Sequence, residues 1–283
     1  MNTLLYSIIK LYSYYPIKLL GILSWKFTIL LKLIGYRKKV VQTNLSNAYP
    51  TKSKEEINKL LNDFYQYFGR LLAESLKVFS IKKTDLKERV SFKNDQLIHD
   101  YLNENKDVIV VMGHYGNWEW GLLATTIHFD NQMVAIYKPL SSDFWNSKMK
   151  KIRSQFSGKM VSMKESVRYL LKKEKKARLI GIVSDQTPSS DEINYWITFL
   201  NQKTPVFLGT EKLAKKLNSP IFFAKVNPKS HGYYEIEFEL LTDNPKDTKE
   251  GEITNLHSKK LEEDINNNPA YWLWSHRRWK HLK

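Results

Sequence analysis

The chain has 283 residues and no cysteine, which excludes disulfide frameworks, thiolate nucleophiles and cysteine-ligated metal sites. Its 45 lysines and arginines against 29 aspartates and glutamates give a formal net charge of +16. The expected partner is therefore anionic: a nucleic acid, a phospholipid, or an acidic or phosphorylated substrate. The length suits one large α/β domain with an N-terminal appendage.

The first segment, residues 1–36, is apolar but interrupted by lysines. These are Lys10, Lys18, Lys26 and Lys32. They leave no uncharged run of the roughly 18 residues that a simple membrane span needs, and they share one side of a helix. The pattern predicts a helix lying in the membrane interface, or a tilted span, kinked near Pro16. The alternative is an amphipathic helix packed on the protein's own core.

Helix and strand patterns alternate along the rest of the chain. Helices are predicted at 55–80, Trp118–His128, 142–156, 164–173 and 210–217. Strands are predicted at Val108–Met112, Met133–Tyr137, 179–184, 220–226 and 233–241. This alternation indicates an α/β fold with a single, largely parallel central sheet flanked by helices. Such sheets carry their sites at the carboxyl ends of the strands. The predicted organisation is a membrane-associated segment at 1–36 and one domain at 37–283.

The stretch "GHYGNWEW" follows the first predicted strand of that alternation. Two glycines permit a tight turn, and Asn117 is placed to begin a helix with Glu119 in its first turn. Across this corner Glu119 is expected to accept a hydrogen bond from one nitrogen of His114, leaving the other nitrogen free to take a proton. The alternative is a structural histidine that stabilises its own loop.

Histidine also bears on metal binding. The seven histidines are scattered and the His-Glu-x-x-His pattern is absent, so neither a metal site nor a cofactor is predicted.

Two further motifs carry polar side chains. "VSDQTP" places Asp185 and Gln186 just after a predicted strand, either in a ligand-facing loop or in a turn closed by Pro188. "YWLWSHRRWKH" sets Arg277 and Arg278 among tryptophans, a mixture that suits a membrane interface or phosphate recognition.

Together these motifs resemble one known family. The segments that carry the resemblance are "YRKKVVQTNLSNAYP", "GHYGNWEW", "YKPLSSDFWNSKMKKIRSQFSGKMV", "VSDQTP", "FLGTEKLAKKLNSPIFF" and "YWLWSHRRWKH". In order and approximate spacing they are similar to the lipid A late acyltransferases, the lauroyl/myristoyl transferase branch of the lysophospholipid acyltransferase superfamily. One departure is Lys138, where many members have arginine, which puts a bidentate phosphate contact at that position in doubt.

The resemblance implies transfer of a fatty acyl chain from acyl carrier protein to a hydroxyl of a lipid A precursor, at the cytoplasmic face of the inner membrane. It implies His114 as the general base, oriented by Glu119, and Arg153 as a group that positions the thioester or its oxyanion. Asp185, Gln186, Arg277 and Arg278 are then expected to bind substrate. The expected partners are acyl carrier protein, a membrane lipid acceptor and an anionic membrane surface, and no nucleic acid.

Two alternatives stay open on sequence alone. The acceptor could be a lysophospholipid or an aminolipid. From another class, a basic nucleic-acid-binding protein would account for the charge and the aromatic residues, but it leaves the apolar N-terminus unexplained.

Overall fold

The computed structural model describes residues 2–130, 132–172 and 174–281. The helices are α1 Asn2–Ser13, α2 Leu20–Leu33, α3 Lys38–Ala48, α4 Lys54–Lys77, α5 Lys83–Arg89, α6 Gln96–Asn103, α7 Trp118–His128, α8 Asp143–Arg153, α9 Met163–Leu170, α10 Gly209–Leu217 and α11 Glu252–Asn267. The strands are β1 Val90–Lys93, β2 Val108–Met112, β3 Met133–Tyr137, β4 Lys159–Ser162, β5 Leu179–Val183, β6 Tyr195–Phe199, β7 Gln202–Val206, β8 Ile221–Ser230 and β9 Tyr233–Thr242.

Seven strands form the central sheet, in the order β1-β9-β8-β2-β5-β3-β4. Every neighbouring pair is parallel except β8 and β9, which form an antiparallel hairpin. Strands β6 and β7 form a separate antiparallel hairpin. The predicted α/β class and the largely parallel central sheet are therefore confirmed.

The middle of the sheet is apolar on both faces because helices cover it on both sides. Strand β2 reads Val-Ile-Val-Val-Met, and its first four residues are buried. Two clusters of buried side chains pack against the sheet; one contains Ile109 and Val111 and the other contains Val108 and Val110. This alternation along one strand places a hydrophobic core on each face of the sheet.

The five predicted strands all occur, as β2, β3, β5, β8 and β9. Four strands were missed: β1 and β4 at the two edges of the sheet, and β6 and β7 of the hairpin. The helix predicted at 164–173 is observed as α9, and its predicted last residue, Lys173, lies outside the described residues.

The N-terminal segment forms two helices, α1 and α2, and the chain breaks between them at Pro16, where a kink was predicted. Helix α2 packs closely on α4: a Cβ on Gly69 would lie 2.2 Å from Thr28 Oγ1. The Lys77 ammonium of α4 donates to the Ser13 carbonyl at the end of α1 (2.7 Å). One face of the segment is thus fixed to the domain, while its other face is exposed. The side chain of Lys18, one of the four predicted lysines, is outside what the structure describes.

That exposed face is strongly apolar. Leu11 is 72% exposed, Trp25 64% and Leu33 80%, although buried positions are where such side chains are most stable. Among the described residues, no helix combines the length and the apolarity needed to cross a membrane.

Candidate active site

Parallel strand pairing brings two distant loops together. Strands β2 and β5 are neighbours, with Met112 opposite Val183. Because the chain leaves both strands at the same edge of the sheet, the residues that follow them meet there. His114 comes two positions after β2, and Asp185 comes two positions after β5.

Asp185 forms two hydrogen bonds with His114. The ring Nδ1–H donates to Asp185 Oδ1 (2.6 Å), and the backbone N–H of His114 donates to Oδ2 (2.9 Å). Trp272 Nε1–H also donates to Oδ2 (2.8 Å). Burial alone would raise the pKa of Asp185, but the contacts from His114 and Trp272 hold it well below its usual range. The carboxylate therefore stays ionised and favours the His114 tautomer with its proton on Nδ1.

This tautomer leaves a lone pair on His114 Nε2, which faces Gln186. The Gln186 side-chain amide lies 3.3 Å from Nε2 and can donate to it. Trp118 contacts the other side of the imidazole edge to face, at 4.9 Å between ring centroids. The His114 side chain is 18% exposed, so a substrate hydroxyl can reach Nε2 while the ring orientation is held.

Glu119 contacts Arg153 and not, as predicted, His114. Arg153 binds it through two parallel hydrogen bonds, Nε to Oε2 (3.0 Å) and Nη2 to Oε1 (2.5 Å). The expectation that Glu119 accepts from His114 is therefore wrong: the carboxylate on the imidazole belongs to Asp185. Glu119 lies in the first turn of α7, which begins at Trp118, whereas Asp185 lies in the loop after β5, the strand that pairs with β2.

The ion pair of Glu119 and Arg153 keeps a charged guanidinium at the start of α7. Burial would lower the pKa of Arg153, but the carboxylate of Glu119 raises it above its ordinary value. Glu119 and Arg153 are two of the predicted site residues. Three more, His114, Asp185 and Gln186, contact one another nearby. All five lie around the loops that follow β2 and β5.

An open groove of about 360 Å³ adjoins the His114 contacts. Trp118 and Gln186, which both touch His114, line one side, and Phe68 and Leu72 of α4 supply apolar surface. Tyr36, just beyond α2, also lines it. The volume and the mixture of apolar walls with a few polar groups match those of small-molecule sites in proteins.

The sequence also matches a known protein family over nearly its whole length. The family model described as "Bacterial lipid A biosynthesis acyltransferase" matches residues 3–281. The chain belongs to this family. Among curated proteins, no match is found. As a member of the lipid A biosynthesis acyltransferase family, the protein is an acyltransferase of lipopolysaccharide biosynthesis.

In this acyltransferase the tryptophan-rich tail is part of the site, not an exposed surface. Trp272, Trp274 and Trp279 are all buried. The Leu273 N–H donates to the His114 carbonyl (3.2 Å), and the Gly116 N–H donates to the Tyr271 carbonyl (3.1 Å). The tail therefore fixes the backbone of the turn that carries the proposed base.

The two arginines of the tail are not equivalent, which corrects their predicted shared role. Arg277 is exposed, but Arg278 is buried, and its Nη1–H donates to the Pro205 carbonyl (2.8 Å). Burial lowers the pKa of Arg278 to about 10, which still leaves it charged at neutral pH. Arg278 and Asp185 both line a buried cavity of about 10 Å³, so the Arg278 guanidinium is not available to bind a phosphate at the surface.

Sequence reasoning missed Glu74, whose carboxylate binds Asn117 at the end of the His114 turn. Its side chain is buried and accepts from Asn117 Nδ2 (2.9 Å) and from Arg70 Nε (2.9 Å). The predicted cap is confirmed, because Asn117 in turn accepts from the backbone N–H of Trp120 (3.1 Å). The available signal was the pair Arg70 and Glu74, spaced four apart on the apolar face of α4.

The turn of the acyltransferase is intolerant of side chains at Gly116. Its φ of +68° is left-handed, and a Cβ there would lie 2.1 Å from the Val226 carbonyl oxygen. We expect Gly116→Ala to lower the free energy of unfolding by at least about 1–3 kcal/mol, the cost of that backbone conformation before the clash is added. Urea unfolding measures this. Gly21→Ala on α2 is the control, because open space surrounds that position; equal effects of the two variants would contradict the clash.

Proposed function

We propose that the protein transfers a fatty acyl chain from acyl carrier protein to a hydroxyl of a lipid A precursor, with His114 as general base and Asp185 as the carboxylate that orients it. The observation that carries this proposal is the hydrogen bond of 2.6 Å from His114 Nδ1 to Asp185, which leaves the other ring nitrogen facing Gln186, a residue that lines the groove. The family membership supports acyl transfer and lipid A as the product class.

The proposed reaction needs no covalent enzyme intermediate. The acceptor hydroxyl gives its proton to His114 Nε2 as its oxygen attacks the carbonyl carbon of the acyl thioester. The carbon–sulfur bond then breaks, and the imidazolium returns the proton to the leaving thiolate. Asp185 stabilises the imidazolium between these steps, since its carboxylate remains ionised and buried beside Nδ1.

The positive side chains are given separate roles in this proposal. In the proposal, Arg153, which forms an ion pair with Glu119 at the start of α7, attracts the oxyanion that develops on the thioester carbonyl. Arg277 is exposed in the tail and supplies a guanidinium for a phosphate of the acceptor or an acidic group of the carrier.

A transfer assay tests the proposal directly. Purified protein is incubated with acyl-loaded carrier protein and, in parallel, with a bisphosphorylated lipid A precursor, a lysophospholipid or an aminolipid, and the products are identified by mass spectrometry. We expect acylation of the lipid A precursor by the wild-type protein and its loss in His114→Ala. Acylation of only the lysophospholipid or the aminolipid would replace the proposed acceptor and keep the reaction type.

We further propose that the exposed face of α1 and α2 lies on the cytoplasmic surface of the inner membrane, where the acceptor is found. Contiguous exposed apolar side chains mark a membrane or protein interface, and lysines at the border add attraction to anionic lipid. Lys10, Lys26 and Lys32 are exposed on the same two helices. The groove beside His114 is lined by Tyr36, which follows α2 by three residues in the chain.

Membrane binding is expected to depend more on apolar burial than on charge. We expect Leu11→Ser/Trp25→Ser/Leu33→Ser to release most of the protein from anionic vesicles, while about 1 M salt releases much less, because salt screens only the lysines. Cosedimentation measures both. The three side chains point away from the domain, so thermal unfolding should be unchanged. Complete release of the wild-type protein by salt would show that the association is purely electrostatic.

A further inference from the structure

Three potential metal ligands meet far from His114. Asp95 precedes α6, His99 lies in the first turn of α6, and His128 is the last residue of α7. His128 Nε2 is 2.5 Å from Asp95 Oδ2, and His99 Nε2 is 3.6 Å from the same oxygen. The three ligand atoms all lie within 4.8 Å of one another.

Aromatic neighbours hold both imidazoles in place. Phe92 stacks on His128 with 3.9 Å between ring centroids and 11° between planes. Phe129 stacks on His99 with 4.6 Å between centroids. Ligands whose orientation is set before binding lose little freedom when a metal binds.

Asp95 is turned toward these rings and not toward its own helix. An aspartate before a helix commonly accepts from the N–H groups of the first turn. In the described part of the chain, the Asp95 side chain makes no such bond. Its Oδ2 instead lies 2.5 Å from His128 Nε2, so the carboxylate is oriented toward the imidazoles.

We propose that Asp95, His99 and His128 form a binding site for a zinc-like divalent cation, with water in the fourth position. Two imidazoles and one carboxylate favour zinc, cobalt or nickel over magnesium or calcium, which prefer oxygen ligands. Bonds of about 2.0–2.1 Å put the ligand atoms of a tetrahedral zinc site about 3.3 Å apart. The observed separations of 2.5 and 3.6 Å from Asp95 Oδ2 lie on either side of that value.

The site would act as a clamp and not in acyl transfer. Helix α7 begins beside the turn of His114 and runs for 11 residues, or about 16 Å, to His128. A metal there would tie the far end of α7 to α6. On binding, the cation replaces the proton that His128 shares with Asp95, and that proton moves to the other ring nitrogen through solvent. The inference does not depend on the acceptor or the base proposed above.

The test uses tag-free protein stripped with a chelator and dialysed. Zinc chloride is titrated by calorimetry, and cobalt chloride by visible absorption, which distinguishes a four-coordinate ion from the hydrated one. We expect one site in the wild-type protein, weakened at least about 10–100-fold in His99→Gln and in His128→Gln. His231→Gln, in the exposed turn between β8 and β9, is the matched control and should bind like wild type.

Thermal unfolding supplies a second measurement. Zinc should raise the midpoint of the wild-type protein and of His231→Gln but not that of the two ligand variants, because a cation that binds only the folded state stabilises it. If His128→Gln loses its stacking and fails to fold, His99→Gln decides the question. Zinc binding that is equal in the wild-type protein and His99→Gln, or cobalt that stays fully hydrated, would overturn the proposal.

Discussion

His114→Ala is expected to reduce the turnover of acyl transfer by roughly 10²–10⁴-fold, the usual contribution of a general base. The reason is that the acceptor hydroxyl has a pKa far above neutral and must lose its proton as it attacks the thioester, and His114 is the proposed base. Steady-state transfer from acyl carrier protein to the lipid A precursor measures the loss as a change in kcat.

A second histidine variant controls for general effects of the substitution. His231→Ala lies in an exposed turn and should retain full activity. Circular dichroism and thermal unfolding should show both variants folded, since His114 is partly exposed and its removal leaves the sheet intact. A folded His114→Ala protein with turnover within about tenfold of wild type would refute the base assignment.

Asp185→Asn is expected to cause a loss of similar size, although the two side chains have nearly the same shape. Asp185 accepts three hydrogen bonds, from two N–H groups of His114 and one of Trp272. An amide has only one acceptor oxygen, so its NH₂ group must face one of those donors. When the NH₂ group faces the imidazole, Nδ1 must accept its hydrogen bond, so the ring proton moves to Nε2. Nε2 can then no longer take the proton of the substrate.

A comparison of Asp185→Asn with Glu119→Gln shows which carboxylate orients the His114 ring. Nitrogen chemical shifts of the His114 ring report which nitrogen carries the proton. We expect the proton to move from Nδ1 to Nε2 in Asp185→Asn and to stay on Nδ1 in Glu119→Gln, where only the contact to Arg153 changes. A tautomer shift in Glu119→Gln alone would restore Glu119 as the orienting carboxylate.

The central fold could be predicted because its signals are local. Apolar runs such as 108–112 and 179–183 are bounded by turn residues and helical patterns, and all five predicted strands occur. The missed strands β1 and β4 have four residues each and lie at the sheet edges, where one side of the strand needs no apolar partner. A pattern based on burial is weakest there.

The choice of carboxylate could not be predicted because it depends on strand order. In the sequence Glu119 is five positions from His114 and Asp185 is 71 positions away. Only the pairing of β2 with β5 makes Asp185 the neighbour, and periodicity does not reveal which strands pair. The composition of "VSDQTP" did mark the loop that contacts His114, but Asp185 was expected to bind substrate.

The tail was misread for a related reason. Basic and aromatic residues at 271–281 have the composition of an interface, yet Trp272, Trp274 and Trp279 fill the space at the carboxyl edge of the sheet. Glu211 also contacts a distant element: it lies in the first turn of α10, and its carboxylate accepts from the N–H of Gly251 (2.7 Å) and of Thr254 (3.1 Å) at the start of α11. The composition of a segment indicates how polar its side chains are, whereas their burial depends on which other elements of the fold pack against them.

The hydrogen bonds between the tail and the turn of His114 set the order in which activity arises during synthesis. The ribosome completes α1, α2 and strand β2 long before it reaches Leu273, whose N–H holds the His114 carbonyl. Asn44 is likewise synthesised long before Trp274, to whose carbonyl its side-chain amide donates (2.9 Å). A nascent chain therefore already contains α1 and α2, the helices proposed above to lie on the membrane, while its reactive centre is still unassembled. Chains that stall before residue 272 would lack the contact from Leu273 that holds the His114 carbonyl, and we expect them to transfer no acyl group.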